Sequence, residues 1–576
     1  MKAGMSFVKY LPEGLSLTIS GGILWLGCVA ITLVSAQFKY GSDQLSRPIP
    51  LILAILAAMI AVYLLSLKIA LNTKNPSGTW RTIWVYAVAM RCILLFSTPI
   101  LEIDYYRYMW DGETVLAGVS PYRYSPEQVI LAEEQNLDQL PAELALLSQV
   151  SKHNKTATTI LRRIHFAELP SIYPPVSQMV FALSALSTPD TASVETAILF
   201  LKFWIVCFDL GTIFLLWKLL IHLNLHPGWT IAYAWCPLIL KEFANSGHLD
   251  AIAVFFTVLG VFWLVKALYP SESVISLVKH RRTGRTLNLA GLSLGLAIGA
   301  KLFPAVLIPF FLATVWKKYS LSAAVRFAFL TGIVSLVACW PQISPRLSPS
   351  TEPAISLRSK ELSQLPQESL GVFLTRWKMN DFIFRLIEEN LTPARSDLES
   401  GWVTITPVRW RDNFVNMVSQ QFQLQKELVP FLTARFFLSF LTLVLILYWS
   451  WQGAHTKDPR EWLHFVFLTL AWFWVCLPTL NPWYWTWVVP FLPFAKRRSW
   501  FLVSGLLFLY YSRFWFDYQW KNQEVWNSGY LGEEYFHQVV VGIEHLIWML
   551  ALILETFITK TVAVCSASQK DNSLSA

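Results

Sequence analysis

Charged side chains are scarce in this sequence. Asp, Glu, Lys and Arg together make up 14% of its 576 residues, whereas an ordinary soluble domain carries about 25%. Apolar and aromatic residues amount to 55% of the chain, and the mean hydropathy is +0.45. So few charges cannot cover a soluble globule of this size, which excludes a soluble enzyme, a disordered chain and a secreted disulfide-rich domain. We predict that most of the outer surface faces lipid.

Cysteines are missing from the polar segments. Six of the seven cysteines lie in or beside apolar runs, and the seventh lies in the C-terminal tail. The sequence therefore offers neither a disulfide framework nor a metal-type cysteine pair, and we expect no metal site and no cofactor. The net charge of +9 is typical of the cytoplasmic loops of a membrane protein, so we expect no nucleic-acid partner.

Apolar runs long enough to cross a bilayer as a helix recur along the chain. We predict an all-α polytopic membrane protein with about twelve full transmembrane helices. Two apolar stretches do not suit a full span, because 176–187 is too short and 288–316 is interrupted by Lys301 and Pro304. Such segments can lie at membrane depth when protein surrounds them, so we predict a re-entrant helix and a pair of half-helices. The full spans are expected near 16–36, 49–70, 83–101, 196–217, 229–245, 250–268, 324–341, 430–451, 463–479, 484–496, 500–514 and 538–560.

The distribution of Lys and Arg sets the expected orientation. With the N-terminus in the cytoplasm, the short inner loops are basic, as the positive-inside rule requires. Both termini then lie on the cytoplasmic side of the plasma (inner) membrane, and the two long polar segments lie on its extracytoplasmic side. The expected divisions are an N-terminal three-helix segment (1–101), a first extracytoplasmic loop (102–172), a central bundle with re-entrant segments (173–341), a second extracytoplasmic loop (342–429), a C-terminal bundle (430–562) and a cytoplasmic tail (563–576).

The segment 102–126 carries the strongest chemical signal. Glu102 and Asp104 are two residues apart, so their carboxyl groups face the same way if the backbone is extended. A carboxylate held beside apolar walls at a membrane surface can act as a general base towards a hydroxyl group. The alternative is the solvated start of an ordinary loop. The aromatic residues and Arg107 that follow favour a site that stacks on sugars and binds anions.

Other candidates have equally open alternatives. His248 and Asp250 open the span 250–268 and could face substrate, or Asp250 could simply suit the helix N-terminus. The aromatic run 481–487 could line a lipid groove or form an interfacial belt. Arg513, Arg376 and Lys378 could meet phosphate, or they could snorkel or belong to an amphipathic surface helix.

Several charges lie within apolar runs, where ionisable groups are costly. Lys202 and Asp209 are seven residues apart on one helical face, and we expect them to form a structural ion pair. Lys301 lies at the predicted helix break. Its expected depth, nearer the middle of the membrane than the outer loop, argues against contact with a donor phosphate. The full set is Arg91, Lys202, Asp209, Lys241, Glu242, Lys301 and Arg435.

The first loop resembles a known enzyme family. The runs 104–112 (DYYRYMWDG) and 118–124 (GVSPYRY) are similar to the first-loop signature of bacterial polyprenyl-phosphate-mannose-dependent mannosyltransferases of the GT-C superfamily. Ser120 stands where that family commonly has Asn. The family usually has His-Asn-Asp where this chain has His248–Leu249–Asp250. Further similar runs, in order, are 172–175 (IYPP), 245–250 (NSGHLD), 301–304 (KLFP), 376–380 (RWKMN) and 481–484 (NPWY).

The resemblance implies a GT-C fold and an extracytoplasmic glycosyltransferase. A hexose, mannose by family default, would move from a polyprenyl-phosphate donor to a glycan or lipid-linked acceptor hydroxyl with inversion. Asp104 would be the catalytic base, with Glu102 as a second catalytic carboxyl group. The partners would be this donor, a glycan or glycolipid acceptor and membrane lipids. The substrate-binding residues would be Tyr105, Arg107, Trp110, Asp111, Tyr122, Tyr173, His248, Asp250, Trp377, Asn380, Trp483, Tyr484 and Arg513.

Three alternatives remain. A non-catalytic membrane scaffold would not need the clustered acids and the arginine of 102–111. A transporter or flippase of lipid-linked sugars would place its carboxylates at mid-membrane and would show paired repeats, whereas here the best acid pair lies at the outer end of a span and no inverted repeat is visible. An oligosaccharide polymerase or ligase also uses broken helices and lipid-linked sugars, and only the first-loop resemblance argues against it.

Overall fold

The computed structural model describes residues 13–134, 140–270, 276–347, 371, 377–393 and 403–574. Within these ranges the chain consists of helices and loops, with isolated β-bridges such as that between Met379 and Thr479 in place of strands. The prediction of an all-α protein is therefore confirmed. The helices of seven or more residues in the first half are α1 (Glu13–Ser35), α2 (Ile49–Asn72), α3 (Pro76–Leu95), α4 (Asp104–Leu116), α5 (Pro126–Ala132), α6 (Ala142–His153), α7 (Lys155–Leu161), α8 (Pro175–Ser187), α9 (Val194–His222) and α10 (Asp250–Leu268).

The second half of the chain continues the same architecture. Its helices are α11 (Ser276–Ala300), α12 (Ile308–Lys318), α13 (Leu321–Leu347), α14 (Ile383–Glu389), α15 (Val408–Phe422), α16 (Val429–His455), α17 (Pro459–Val475), α18 (Trp500–Leu506), α19 (Ser512–Gln519) and α20 (Val541–Leu574). Most of these helices contribute to a large apolar core that also includes residues of α1 to α4, and α14 and α16 form a second, smaller core around Phe384 and Phe431.

Seven helical stretches in the described part of the chain are long and apolar enough to cross a membrane. Each coincides with one of the predicted spans, which identifies a polytopic membrane protein. The short apolar helix α8 is separate from them and matches the predicted short segment. The seven stretches are Leu15–Phe38, Ile49–Asn72, Val194–His222, Asp250–Leu268, Leu321–Ile343, Lys426–His455 and Gly532–Thr559.

The other five predicted spans are shorter or broken, so the count of twelve stays a prediction. Two correspond to the single helices α3 and α17. The runs 229–245, 484–496 and 500–514 are instead divided into short helical turns. In the first two runs, prolines such as Pro237 and Pro490 remove backbone donors and restrict the preceding residue, which interrupts a helix.

The predicted interruption of the run 288–316 is present. Helix α11 ends at Ala300, a tight turn covers Phe303–Leu307, and α12 begins at Ile308. Gly299 lets the end of α11 approach its neighbours closely, since an added Cβ would lie 2.7 Å from Ala338 of α13 and 2.8 Å from Val176 of α8. This packing fixes the position of Lys301, the residue that follows α11.

Arg91, Asp209 and Lys202, three buried charges in the first half of the bundle, are fully bonded. Arg91 donates to both carboxylate oxygens of Asp209, with the Nε–Oδ2 distance at 2.6 Å, and to the carbonyl oxygen of Ala234 at 2.8 Å. Lys202 donates to the carbonyl oxygens of Leu94 and Ser97 at the end of α3. The predicted Lys202–Asp209 pair is therefore wrong, because each residue finds its partner on α3 rather than on its own helix.

Candidate active site

The two carboxyl groups of the first loop lie where the chain turns from α3 into α4. Leu101 has a left-handed backbone conformation (φ 62°), which reverses the chain just before Glu102. Asp104 is the first residue of α4, where an acidic side chain suits the positive end of the helix dipole. Both side chains are partly exposed, so a substrate can reach them.

Their surroundings raise the pKa of both carboxyl groups. Burial raises the pKa of Asp104 above its usual value, against the positive charge of Lys301. Burial also raises the pKa of Glu102 well above its usual value; the charge of Lys241 opposes this effect, and those of Asp104 and Glu242 add to it. Two neighbouring acids with different cations beside them can take different protonation states.

Lys301 and Asp250 form an ion pair next to Asp104. The Lys301 ammonium lies 2.6 Å from Asp250 Oδ1, which also accepts a hydrogen bond from the Trp487 indole at 2.5 Å. The ammonium lies over the ring of Tyr484, 4.4 Å from its centre. Trp487 stacks on Phe303, with 4.2 Å between ring centres. Asp250 therefore orients a lysine that remains partly exposed.

A second group of polar side chains lies beside Glu102, and we call Glu102, Lys241, Glu242 and His248 the inner polar cluster. Glu242 Oε2 is 3.5 Å from Lys241 Nζ and 3.3 Å from His248 Nε2. Glu242 Oε1 accepts a hydrogen bond from the Tyr511 hydroxyl at 2.6 Å. Burial lowers the pKa of His248 well below its usual value, so its ring is neutral and offers one donor and one acceptor.

Aromatic rings form one wall of the inner polar cluster. His248 stacks on Trp483 with 4.4 Å between ring centres, and Tyr510 packs edge-on against the same indole. Arg513, which acts electrostatically on Glu102, donates to Glu533 at 3.0 Å and remains partly exposed. The structure thus brings six sequence-predicted residues into one region with Arg513 at its edge: Glu102, Asp104, His248, Asp250, Trp483 and Tyr484.

Arg107 has partners within its own loop. It donates to Asp111 Oδ1 and to the carbonyl oxygen of Leu169, both at 2.8 Å. Asp111 Oδ2 accepts from Ser171 at 2.5 Å and from Gln178 at 2.9 Å. These bonds tie α4 to the segment that enters α8. These bonds favour a structural role for Arg107 over contact with phosphate. The charge of Arg107 nevertheless acts on the pKa of Asp104, which shows that Arg107 lies near the site.

The predicted aromatic residues of the first loop are mainly structural in position. Tyr122 donates to the backbone carbonyl of Tyr173 at 2.7 Å, and the Tyr173 ring packs edge-on against Tyr108 at 5.0 Å. Tyr105 and Trp110 are buried in the core. Their predicted contacts with substrate stay predictions.

Two predicted residues of the second loop, Trp377 and Asn380, contact other parts of the chain. The Trp377 ring packs against Phe166 at 4.8 Å. Asn380, in a left-handed conformation, donates to Glu544 at 2.7 Å and to the carbonyl oxygen of Leu480 at 3.2 Å. Asn380 thereby joins the loop to the C-terminal helices. Lys378 pairs with Glu388, and Arg376 lies outside the described residues.

Most residues around the two carboxyl groups lie in a part of the chain that matches a known protein family. Residues 29–318 match the family model described as alpha-(1->6)-mannopyranosyltransferase, N-terminal domain. The chain belongs to this mannosyltransferase family. The match contains Asp104, Lys301 and the whole inner polar cluster, and it confirms the resemblance inferred from the first loop. No match was found among curated proteins or solved structures.

Sequence reasoning missed several residues of the candidate site. Lys241 and Glu242 were noticed only as costly charges in an apolar run, and Trp487 and Tyr511 gave no separate signal. Lys301 was set aside because of its expected depth, yet it is beside Asp250 and acts on Asp104. In the described ranges, no group of three or more His, Cys, Asp or Glu side chains is arranged to hold a metal ion.

Proposed function

We propose that this mannosyltransferase uses a polyprenyl-phosphate mannose donor and acts on the extracytoplasmic side of the plasma membrane. The acceptor is a hydroxyl group of a glycan or glycolipid. The observation that carries this proposal is the position of Asp104, a partly exposed carboxyl group at a helix start, beside the oriented lysine Lys301.

The reaction is a single displacement at the sugar C1 atom. Asp104 accepts the proton of the acceptor hydroxyl as its oxygen forms a bond to C1. The bond from C1 to the donor phosphate oxygen breaks, and its electron pair leaves with the polyprenyl phosphate. Attack from the face opposite the leaving group inverts the configuration at C1. The base contributes by proton transfer in the transition state, typically worth about 10²–10⁴-fold in rate.

Lys301 supplies the positive charge that this leaving group needs. A phosphate that departs gains negative charge, and a fixed cation in a site of low polarity stabilises that charge strongly. Asp250 and Trp487 hold the lysine side chain in place through a shared oxygen. Lys301 has further N–H donors besides the one directed at Asp250.

The donor proposal is tested with purified protein and a panel of sugar donors. Polyprenyl-phosphate mannose, other polyprenyl-phosphate sugars and nucleotide sugars are each supplied with a mannoside acceptor. We expect release of polyprenyl phosphate from the mannose donor. Turnover with nucleotide sugars alone would contradict the proposal and would move the chemistry to the cytoplasmic side.

The orientation is tested separately with single cysteines in a background that lacks the seven native ones. A cysteine in place of Val150 should react with an impermeant thiol reagent in intact cells, because it lies in the first extracytoplasmic loop. A cysteine in place of Arg282 should react only after permeabilisation. Labelling of the second position in intact cells would reverse the proposed orientation.

A further inference from the structure

The inner polar cluster contains buried polar atoms that have no hydrogen-bond partner among the described residues. They are Glu102 Oε1, Lys241 Nζ, Glu242 Oε2 and both ring nitrogens of His248. The side chains of Lys241, Glu242 and His248 are at most 2% exposed. Lys241 and the neutral His248 ring lie 3.5 Å and 3.3 Å from Glu242 Oε2, and Lys241 Nζ also lies over the Tyr511 ring, 3.6 Å from its centre. None of these contacts gives the atoms named above a hydrogen-bond partner.

Leaving these atoms unpaired is costly. Each buried polar group without a partner costs about 1–3 kcal/mol, and folded proteins contain few such groups. The same bundle fully bonds the guanidinium of Arg91 and the ammonium of Lys202. Because this fold can bond a buried cation completely, the open atoms beside Glu102 indicate a partner from outside the chain.

The local backbone favours the same conclusion. Lys241 and Glu242 lie on a π-helical turn (Leu240–Asn245), and Trp483 lies on a four-residue helical turn (Pro482–Trp485). Irregular backbone is tolerated at membrane depth where it lines a cavity or is buried in protein, and π-helical turns are frequent at functional sites.

The chemistry of the cluster fits a sugar ring. Two carboxyl groups accept hydrogen bonds, the Lys241 ammonium donates them, and a neutral His248 ring can do both. Tyr510 and Trp483 add aromatic surface beside these polar atoms. A hydroxyl group can both donate and accept, whereas a second phosphate would face the two carboxyl groups of Glu102 and Glu242.

We propose that the inner polar cluster is a pyranose subsite, in which ring hydroxyls pair with the open atoms of Lys241, Glu242 and His248. The ring reaches them past Glu102, which is partly exposed. This assignment rests on the proposed sugar transfer. The ring can belong to the donor or to the acceptor, and the kinetic measurement below separates the two sources.

The test uses His248→Phe, which keeps a ring stacked on Trp483 but removes both open nitrogen atoms. The probe is methyl α-D-mannopyranoside, and its binding is followed by tryptophan fluorescence. We expect at least about tenfold weaker binding, the effect of losing about 1.4 kcal/mol, with an unchanged or higher melting temperature without sugar. In the complete reaction, a higher KM for the donor alone or for the acceptor alone identifies which ring occupies the subsite.

The control is Glu544→Gln. Glu544 is also buried, and its Oε2 atom likewise has no partner in the described part of the chain, but it lies in the C-terminal helices beside Asn380. The Glu544→Gln variant should leave mannoside binding unchanged. If His248→Phe does not fold, Tyr511→Phe provides the second test, since it removes the hydrogen bond that holds the Glu242 carboxyl group in position and should also weaken binding.

Equal mannoside binding by wild type and His248→Phe, with a lower melting temperature in the variant, would assign the cluster a structural role and overturn the proposal. Absence of mannoside binding by the wild type would overturn it too. Mannoside binding without release of polyprenyl phosphate would instead reject the proposed donor and leave the subsite standing.

Discussion

Two groups of buried charges in this bundle differ in how completely they are bonded. Arg91 and Asp209 satisfy each other, and Lys202 is surrounded by carbonyl oxygens at the end of α3. Lys241 and Glu242 are equally buried but keep atoms without hydrogen-bond partners among the described residues. Both groups are charges in apolar runs when read from the sequence. Complete bonding indicates a structural role, and incomplete bonding beside the partly exposed Glu102 is the basis of the proposed sugar subsite.

The largest effect is expected from breaking the satisfied group. Arg91→Met leaves the carboxylate of Asp209 buried without its cation, which costs about 3–5 kcal/mol. The double variant Arg91→Met, Asp209→Leu removes both charges and should recover most of that loss. Thermal unfolding in detergent measures both. A single variant as stable as the wild type would show that this pair does not support the fold.

Asp104→Asn tests the catalytic side of the comparison. It removes the proton acceptor while keeping the size of the side chain, so kcat should fall by about 10²–10⁴-fold with little change in melting temperature. Glu102→Gln should reduce kcat less if Glu102 only binds or orients substrate. Near-normal turnover by the Asp104 variant would contradict its role as base.

Arg107→Lys tests whether Arg107, a cation near the site with hydrogen bonds to its own loop, has a structural role. Lysine cannot reproduce the bonds that the guanidinium makes to Asp111 and Leu169 together, so about 1–3 kcal/mol of stability should be lost. Both substrates should be affected alike. A rise in donor KM alone, at unchanged melting temperature, would restore the role in phosphate binding predicted from the sequence.

Asp381 gives the smallest and most specific effect. Its Oδ2 atom also lacks a partner in the described residues, and burial followed by the charge of Glu388 raises its pKa to about 7. The folded protein therefore holds this proton more tightly than the unfolded chain. This contribution is largest at low pH and is lost as the pH rises towards 7.

Asp381→Asn removes this titration. Relative to the variant, the wild type should lose about 1 kcal/mol of stability between pH 6 and pH 8, which melting curves at the two pH values measure. The activity of the variant should equal that of the wild type at pH 7, because an unpaired buried atom does not by itself indicate a substrate site. A pH-independent difference between the two proteins would contradict the assigned pKa.

The sequence was sufficient for the features that depend on local composition. Of the twelve spans predicted from apolar length, seven coincide with long apolar helices of the described residues, and Lys301 with Pro304 predicted the break after α11. The loop motif around Asp104 predicted the mannosyltransferase family. These properties are carried by neighbouring residues, so no knowledge of tertiary contacts was needed.

Features that depend on contacts between distant elements were missed. Helical period placed Lys202 and Asp209 on one face, but it could not reveal that α3 supplies both partners. The run 229–245 is apolar throughout most of its length, and its division into short turns depends on Pro237 and on packing against other helices. The contact between Lys301 and Asp250 joins residues 51 positions apart.

Leu101 gives the site a property that no contact distance describes. A left-handed conformation costs a residue with a side chain about 1–2 kcal/mol, and glycine would adopt it freely. The side chain of Leu101 is nevertheless buried in the core, so packing holds the backbone in its strained form. Glu102 and Asp104 consequently start from a stiff, preorganised turn, which holds the two carboxyl groups of the candidate site in place before any substrate arrives.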